Sequence, residues 1–379
     1  MSILIFIIIL LVLVLVHEFG HFFSAKRFGI RVDEFGFGFP PKLFSFKKGE
    51  TEYSFNALPL GGFVKIYGES FDEADMVEIG FLEKDIVAKE EFSRSLVSKP
   101  KWKQAIVLFA GVFSNFLLAW LLFSVGFMSG LPTSVGSEPK GYSITDSYLV
   151  LVSVLANSPA EIAGLKSGDK IISIKSDKDE VENINPDTLK SFIISHPEKE
   201  INLGYLRGNN ETINIANVIP VKNSTNGDPI IGVSMDEIGV VKLPILRALW
   251  EGMKLDWSVT KSTVVGFYTL IKEGLMGEGG LVLSSITGPI GMVGIVGSAY
   301  QFGFVYLLSF AALISINLAI INLIPFPALD GGRLLFLLIE KIKGSRLNPK
   351  FANTANMVGF AILIILMLFV TYHDVVKLF

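Results

Sequence analysis

The run His17-Glu18-Phe19-Gly20-His21 has the form H-E-x-x-H. On a helix, positions i and i+4 share one face about one turn apart, so both imidazoles can reach a single zinc ion. Glu18, at i+1, points to the flank where a metal-bound water would sit, and the chemistry this trio supports is activation of water for hydrolysis. The run lies inside an apolar stretch from Ser2 to about Ala25 that is long enough to cross a bilayer. Each ionisable group near the centre of such a span costs about 2.5 kcal/mol or more unless it is paired or ligates something. Three of them together argue for function; the competing reading is a run that marks the interfacial end of the span. His196 and His373 have no comparable setting and are expected at the surface.

The chain has no cysteine, so any metal must rest on His, Asp or Glu. Two histidines and a water leave a zinc ion one protein ligand short of the usual catalytic set. The candidate is Asp330, in the string Asn317-Leu318-Ala319-Ile320-Ile321-Asn322-Leu323-Ile324-Pro325-Phe326-Pro327-Ala328-Leu329-Asp330-Gly331-Gly332-Arg333. The prolines break a helix there, and Gly331-Gly332 permits an unusual backbone beside the acid. The alternative is that Asp330 caps a helix starting at Gly331.

These residues need elements to hold them, and the composition says which kind. Of 379 residues, half are hydrophobic and 18% charged, and the mean hydropathy is +0.53. This excludes an ordinary soluble protein and predicts a polytopic α-helical membrane protein. A net charge of −3 without a Lys/Arg-rich run argues against a nucleic-acid partner. Four spans are expected: within 1–30, at 104–130, in 302–333 (apolar over 302–323), and at 356–373. A signal peptide is a poor reading of the first, because Lys26, Arg27 and Arg31 follow the apolar run instead of preceding it. Basic residues after the first span (Lys26, Arg27, Arg31), before the second (Lys99, Lys101, Lys103) and between the last two (Arg333, Lys341, Lys343, Arg346, Lys350) put those loops in the cytoplasm. The stretch from about 131 to 301 then lies outside, and Asp330 shares a side with His17 and His21.

Between 31 and 103, Lys42 to Lys47 and Thr51 to Asn56 alternate around Lys48-Gly49, which predicts a membrane-associated β-hairpin; Leu60 to Ile66 can add a strand. The acidic stretch Glu69 to Glu91 is expected to be a mobile loop. Residues 143–236 read as a soluble α+β domain, and Ser158-Pro159-Ala160 with Ala163 to Asp169 resembles the helix and turn of a PDZ domain of the bacterial protease type. Residues 244–275 suit an amphipathic helix at the membrane surface or one packed on that domain.

Taken together, the chain resembles the site-2 proteases, specifically the bacterial zinc metalloproteases of regulated intramembrane proteolysis that carry a PDZ domain. The resemblance rests on H-E-x-x-H, Glu34-Phe35-Gly36-Phe37-Gly38-Phe39, Leu58-Pro59-Leu60-Gly61-Gly62-Phe63-Val64-Lys65, Thr287-Gly288-Pro289-Ile290-Gly291 and Asn322 to Gly332. Ala110-Gly111-Val112-Phe113-Ser114-Asn115-Phe116 also matches, with Val112 in place of the family's proline. The resemblance implies Zn2+ as cofactor on His17, His21 and Asp330, Glu18 as the catalytic base, and Asn322 and Asn317 near the substrate. It further implies a bacterial inner-membrane enzyme that cuts transmembrane segments of pre-trimmed single-pass proteins, such as anti-sigma factors, or remnant signal peptides. An upstream site-1 type protease does the trimming in this family, the PDZ domain is extracytoplasmic, and the surrounding partner is membrane lipid. The competing readings are a membrane zinc enzyme with a helical Glu as third ligand, and a non-enzymatic PDZ scaffold or metal transporter. Each is disfavoured by the sequence, because the later spans carry no Glu and little polar character.

Overall fold

The computed structural model describes residues 1–69, 86–177, 179–208, 212–222, 227–276 and 287–376. In chain order the elements are α1 (Ser2–Arg27), β1 (Val32–Lys48), β2 (Thr51–Ile66), α2 (Ile86–Ser93), α3 (Lys101–Ser129), β3 (Leu131–Ser134) and β4 (Thr145–Val154). Next come α4 (Pro159–Ile162), β5 (Lys170–Ser176), β6 (Asp179–Glu180), α5 (Pro186–Ser195), β7 (Ile201–Leu206), β8 (Asn214–Val218), β9 (Val221–Lys222), β10 (Pro229–Ile230) and β11 (Val233–Val241). The chain closes with α6 (Ile245–Leu275), α7 (Pro289–Phe302), α8 (Phe304–Leu323), α9 (Asp330–Lys343) and α10 (Pro349–Val376). Contacts divide it into two units, 1–123 with 252–296 and 310–379, and 124–251 with 297–309.

The helices α1, α3, α8 and α10 are long and apolar enough to cross a membrane. Their ends follow local chemistry. Lys26 and Arg27 sit at the C-terminus of α1, where the helix dipole favours cations. Pro349 opens α10 at its first position, and Pro325 lies just past the end of α8. Val112, where the resemblance has proline, is fully buried in an uninterrupted α3.

In the first unit, β1 and β2 are long bent strands that make a ribbon four segments wide. Residues 32–37 pair with 62–66 on one side and with 52–55 on the other, and 52–56 pair onward with 42–47. The expected hairpin is present, with the turn at Gly49-Glu50, and Leu60 to Ile66 falls in the far half of β2 instead of forming a separate strand. Gly49 takes a positive φ of 65° in that turn. The root of the ribbon is held by an apolar cluster of Ala25, Ile30, Val32, Ile66, Leu96 and Val107. Glu50 ties the turn down through Lys26 (2.6 Å) and Arg94. Burial works to raise the Glu50 carboxyl, but the two cations outweigh it and hold it below its ordinary range. The acidic stretch expected to be mobile falls at 70–85 outside the described residues, and Ile86–Ser93 beyond it is helical.

Helix α6 leans on α3 and α8, with Leu255 and Val259 against Ala119, Phe123, Ala312 and Ile316. The string Thr287-Gly288-Pro289-Ile290-Gly291 starts α7 and docks on the end of α10. There the Asp374 carboxylate accepts the backbone N–H groups of Gly288 (3.0 Å) and Gly291 (2.8 Å). A Cβ on Gly288 would fall 2.7 Å from that carboxylate, which accounts for the glycine.

The second unit carries a seven-stranded antiparallel sheet in the order β3-β11-β4-β5-β7-β8, with β6 on β5. It takes in residues on both sides of 143–236, from Leu131 to Val241. Its core includes Leu149, Leu151, Ile174, Leu189 and Leu203. The Asn185/Thr188 capping box starts α5. His196 is buried, not at the surface as its sequence setting suggested, because the end of α5 lays its ring on Phe192 with centroids 4.1 Å apart, and Asp179 Oδ2 lies 3.2 Å from Nε2. His373 is half-buried on α10 with its Nε2 enclosed.

Asp169, fully buried, accepts from Lys166 N–H (2.8 Å) and from Arg207 through Nε and Nη2 (2.7 Å each). Arg207→Ala strands that carboxylate, and a loss of about 2 kcal/mol is expected once the partial exposure of Arg207 is discounted. Thermal unfolding of the full chain in detergent, followed by the signal of the sheet unit, should show a lower midpoint; an unchanged midpoint would mean that the pair does not support the unit.

Candidate metal centre

Helix α1 presents His17 and His21 on one face, both buried, with ring centroids 4.9 Å apart and planes at 82°. The rings fit because α1 and α3 meet through small residues. A Cβ on Gly20 would lie 2.3 Å from the Ala110 carbonyl, so the backbones are nearly in contact there. A Cβ on Gly111 would lie 2.2 Å from His21 Nε2, so that glycine is the space the imidazole occupies. Close approach through small residues is how helices pack where lipid removes the hydrophobic drive. His21 Nδ1 is fixed by donation to the Val107 carbonyl at 2.8 Å.

The carboxylate arrives from the turn between α8 and α9. Phe326 N–H donates to Ile324 O (2.7 Å), Ala328 takes a φ of 74°, and its N–H donates to Asn356 Oδ1 of α10 (3.1 Å). The helix α9 begins at Asp330 with Leu329 in the cap position, so Asp330 is not the cap that spacing alone allowed. Gly331 and Gly332 are helical here. They are needed because a Cβ would fall 2.3 Å from the Leu323 and Ile324 carbonyls and 2.1 Å from that of Phe326. The turn is thus pressed onto the start of α9, and Asp330 is aimed at α1.

The three groups meet. Asp330 Oδ2 lies 3.0 Å from His17 Nε2 and 3.3 Å from His21 Nε2, and the two Nε2 atoms are 3.3 Å apart. With its Nδ1 donating, a neutral His21 presents a lone pair at Nε2, directly facing the carboxylate lone pairs. Asp330 Oδ2 is wholly enclosed. A proton satisfies one of these contacts, whereas a divalent cation satisfies all three atoms at once. Two imidazole nitrogens and one carboxylate oxygen suit zinc, with a coordination position left for water or substrate.

Glu18 is half-buried beside this cluster. A Cβ on Gly62 would lie 3.4 Å from Glu18 Cγ, so the outer segment 62–66 of the ribbon runs past the acid. Arg333, one turn beyond Asp330, pairs with Glu69, three residues past the end of β2. The two asparagines differ. Ser315 of α8 donates to the Asn115 carbonyl of α3 (2.8 Å). Asn322 is seven residues on and shares that face, while Asn317, two residues on, points about 200° away. Neither asparagine side chain makes a hydrogen bond among the described residues. Sequence reasoning passed over Gly111, Val107 and Asn356. Gly111 stood inside the quoted Ala110 to Phe116 string, but a backbone carbonyl such as that of Val107 leaves no mark in a sequence.

The chain matches the model of peptidase family M50 over residues 5–366. It is 33% identical over 439 aligned residues to the regulator of sigma-W protease RasP of Bacillus subtilis, covering 99% of this chain and 98% of that protein. The zinc metalloprotease RasP of Bacillus licheniformis is 31% identical, with 99% and 98% covered. That of Geobacillus kaustophilus is also 31% identical, with 100% and 98% covered.

Helix propensity alone makes Gly111→Ala favourable by about 1 kcal/mol. The contact with His21 predicts the reverse at the site: the variant should fold, yet hold far less metal after purification. Metal content measured beside the wild type decides it, and full loading in Gly111→Ala would show that the ring does not need that space.

Proposed function

Starting from the fact that the chain belongs to peptidase family M50, we propose that it is a zinc metalloendopeptidase that hydrolyses peptide bonds within transmembrane segments of other membrane proteins. The observation that carries the reading is the meeting of His17, His21 and Asp330 beside Glu18, with both histidines on a helix long and apolar enough to span a bilayer.

Three protein ligands, His17, His21 and Asp330, would hold the ion. Bound there, zinc would polarise the scissile carbonyl and acidify the attacking water. Glu18 accepts the proton of that water and delivers it to the leaving nitrogen, so that the amine departs neutral. Asn322 lies on the face of α8 turned toward α3 and is assigned to substrate positioning; Asn317, on the opposite face, has less support for that role. A transmembrane helix shields its own peptide bonds and must unwind before it is cut. The segment 62–66, which among the described residues pairs on one side only, can take up the unwound chain as an added strand beside Glu18.

The name of one relative supports a substrate class. That relative is named a regulator of sigma-W protease, which supports anti-sigma factors as substrates of this chain, with remnant signal peptides as a second group. An upstream site-1 type protease removes their outer domains. The basic flanks favour a bacterial inner-membrane location with the metal centre toward the cytoplasm and the sheet unit, assigned as a PDZ domain, outside, where it screens untrimmed substrates.

The test uses purified full-length protein and one model transmembrane substrate. Glu18→Gln should retain zinc while cleavage falls about 10²–10⁴-fold, the usual contribution of a general base. Asp330→Asn should lose zinc and activity together, and His17→Ala more completely, because an amide oxygen still coordinates weakly. Chelation should abolish wild-type cleavage. A Glu18→Gln enzyme that cuts at the wild-type rate would remove the base, and Asp330→Asn with full zinc and full activity would remove the third ligand.

A further inference from the structure

We infer that Asn115 is a positioning residue whose side-chain carbonyl accepts the Nδ1–H of His17 and so turns the Nε2 lone pair of that histidine toward the metal. The inference rests on the metal centre proposed above and adds to it the group that sets one ligand's tautomer.

Asn115 is completely buried on α3, and its amide lies against His17, with Nδ2 3.3 Å from His17 Nδ1. Its Oδ1 is enclosed and has no hydrogen-bond partner among the described residues. A neutral imidazole carries one N–H, so a His17 that ligates through Nε2 must donate from Nδ1. Of the two atoms of the Asn115 amide, the oxygen is the one that can receive that proton. Half a turn of the planar amide brings Oδ1 onto Nδ1 and gives the orphaned acceptor its donor. An amide nitrogen facing Nδ1 would instead require a lone pair there and a proton on Nε2, the atom aimed at Asp330.

The partner of His21 shows the same logic built from backbone. Val107 and Asn115 are eight residues apart on α3, about 12 Å along the axis, while the histidines are about 6 Å apart on α1. The Val107 carbonyl points toward the C-terminus of α3 and the Asn115 side chain tilts toward its N-terminus, so the two acceptors converge on the two rings. Ser315, donating to the Asn115 carbonyl at 2.8 Å, holds this turn of α3 against α8. Partners of metal-bound histidines usually contribute about 10–100-fold to metal affinity.

The experiment measures zinc affinity by chelator competition on the purified full-length protein, for wild type, Asn115→Leu, Asn115→Asp and Asp330→Ala. Asn115→Leu, of similar size but unable to accept, should bind zinc about 10–100-fold more weakly. Asn115→Asp, which offers only acceptors, should bind at least as tightly as wild type. This rescue would not follow from a merely structural role or from an amide that donates to Nδ1. If Asn115→Leu does not fold, the Asp variant decides alone: loss of zinc affinity in it overturns the inference. So does wild-type affinity in Asn115→Leu. A wild type that binds no zinc, or that is indifferent to Asp330→Ala, would instead sink the metal centre itself and this inference with it.

Discussion

Everything in the membrane-spanning unit answers to one requirement: a carboxylate oxygen and two imidazole nitrogens must be held within 3.3 Å of one another among apolar helices. Left alone, three such atoms repel through their lone pairs and lose the hydrogen bonds that water would supply. Removing the burial would relieve that cost but would expose the centre. The chain keeps it and holds these groups so that the facing lone pairs stay free. The Val107 carbonyl takes the Nδ1–H of His21, and the α8–α9 turn aims Asp330 at α1.

Holding three atoms that closely demands backbones closer than side chains normally allow. Gly20 and Gly111 let α1 and α3 approach to near contact, and Gly331 and Gly332 let α9 start against the carbonyls of the turn that precedes it. Gly359 of α10 does the same for Pro327, whose carbonyl would lie 2.6 Å from an added Cβ. In lipid such contacts must supply the cohesion, because burying apolar side chains against one another gains little over burying them in acyl chains. The hydrogen bonds from Ser315 to the Asn115 carbonyl and from Ala328 N–H to Asn356 add direction to it.

Much of this was legible in the sequence, for reasons that differ by element. The four spans stand out because length and hydropathy are set by the bilayer and not by tertiary context. The histidine pair was legible because helix periodicity is local, and Asp330 because its proline and glycine neighbours mark irregular backbone. The meaning of Gly331 and Gly332 was not. Sequence suggests unusual dihedrals, whereas the structure uses ordinary helical ones and needs the missing Cβ for a contact made by a folded-back turn. The ribbon was half legible: alternation revealed the hairpin at 42–56, but the pairing of 32–37 with 62–66 is a long-range match that alternation cannot register. His196 was misjudged because its burial depends on a stacking contact at the end of α5 and on Asp179 from a neighbouring strand.

The ribbon also carries a geometric argument about the reaction. A peptide bond inside a helix is held by its own i to i−4 hydrogen bonds, and an attacking water needs it extended with its carbonyl free. The segment 62–66 pairs inward with 32–37, and its Gly62 sits against Glu18 with no side chain between them. An extended chain added to this segment would regain hydrogen bonds for the backbone groups that face it, which offsets part of the loss of helix and leaves the outward-facing carbonyls free. It would also lie within reach of the proposed base. Gly62 is where the next-nearest atoms after the Gly36 carbonyl are Glu18 Cγ at 3.4 Å and Val14 Cγ1 at 3.5 Å from an added Cβ. A larger residue at that position would push strand and acid apart, so the glycine couples the surface that would extend the substrate to the group that would take the proton.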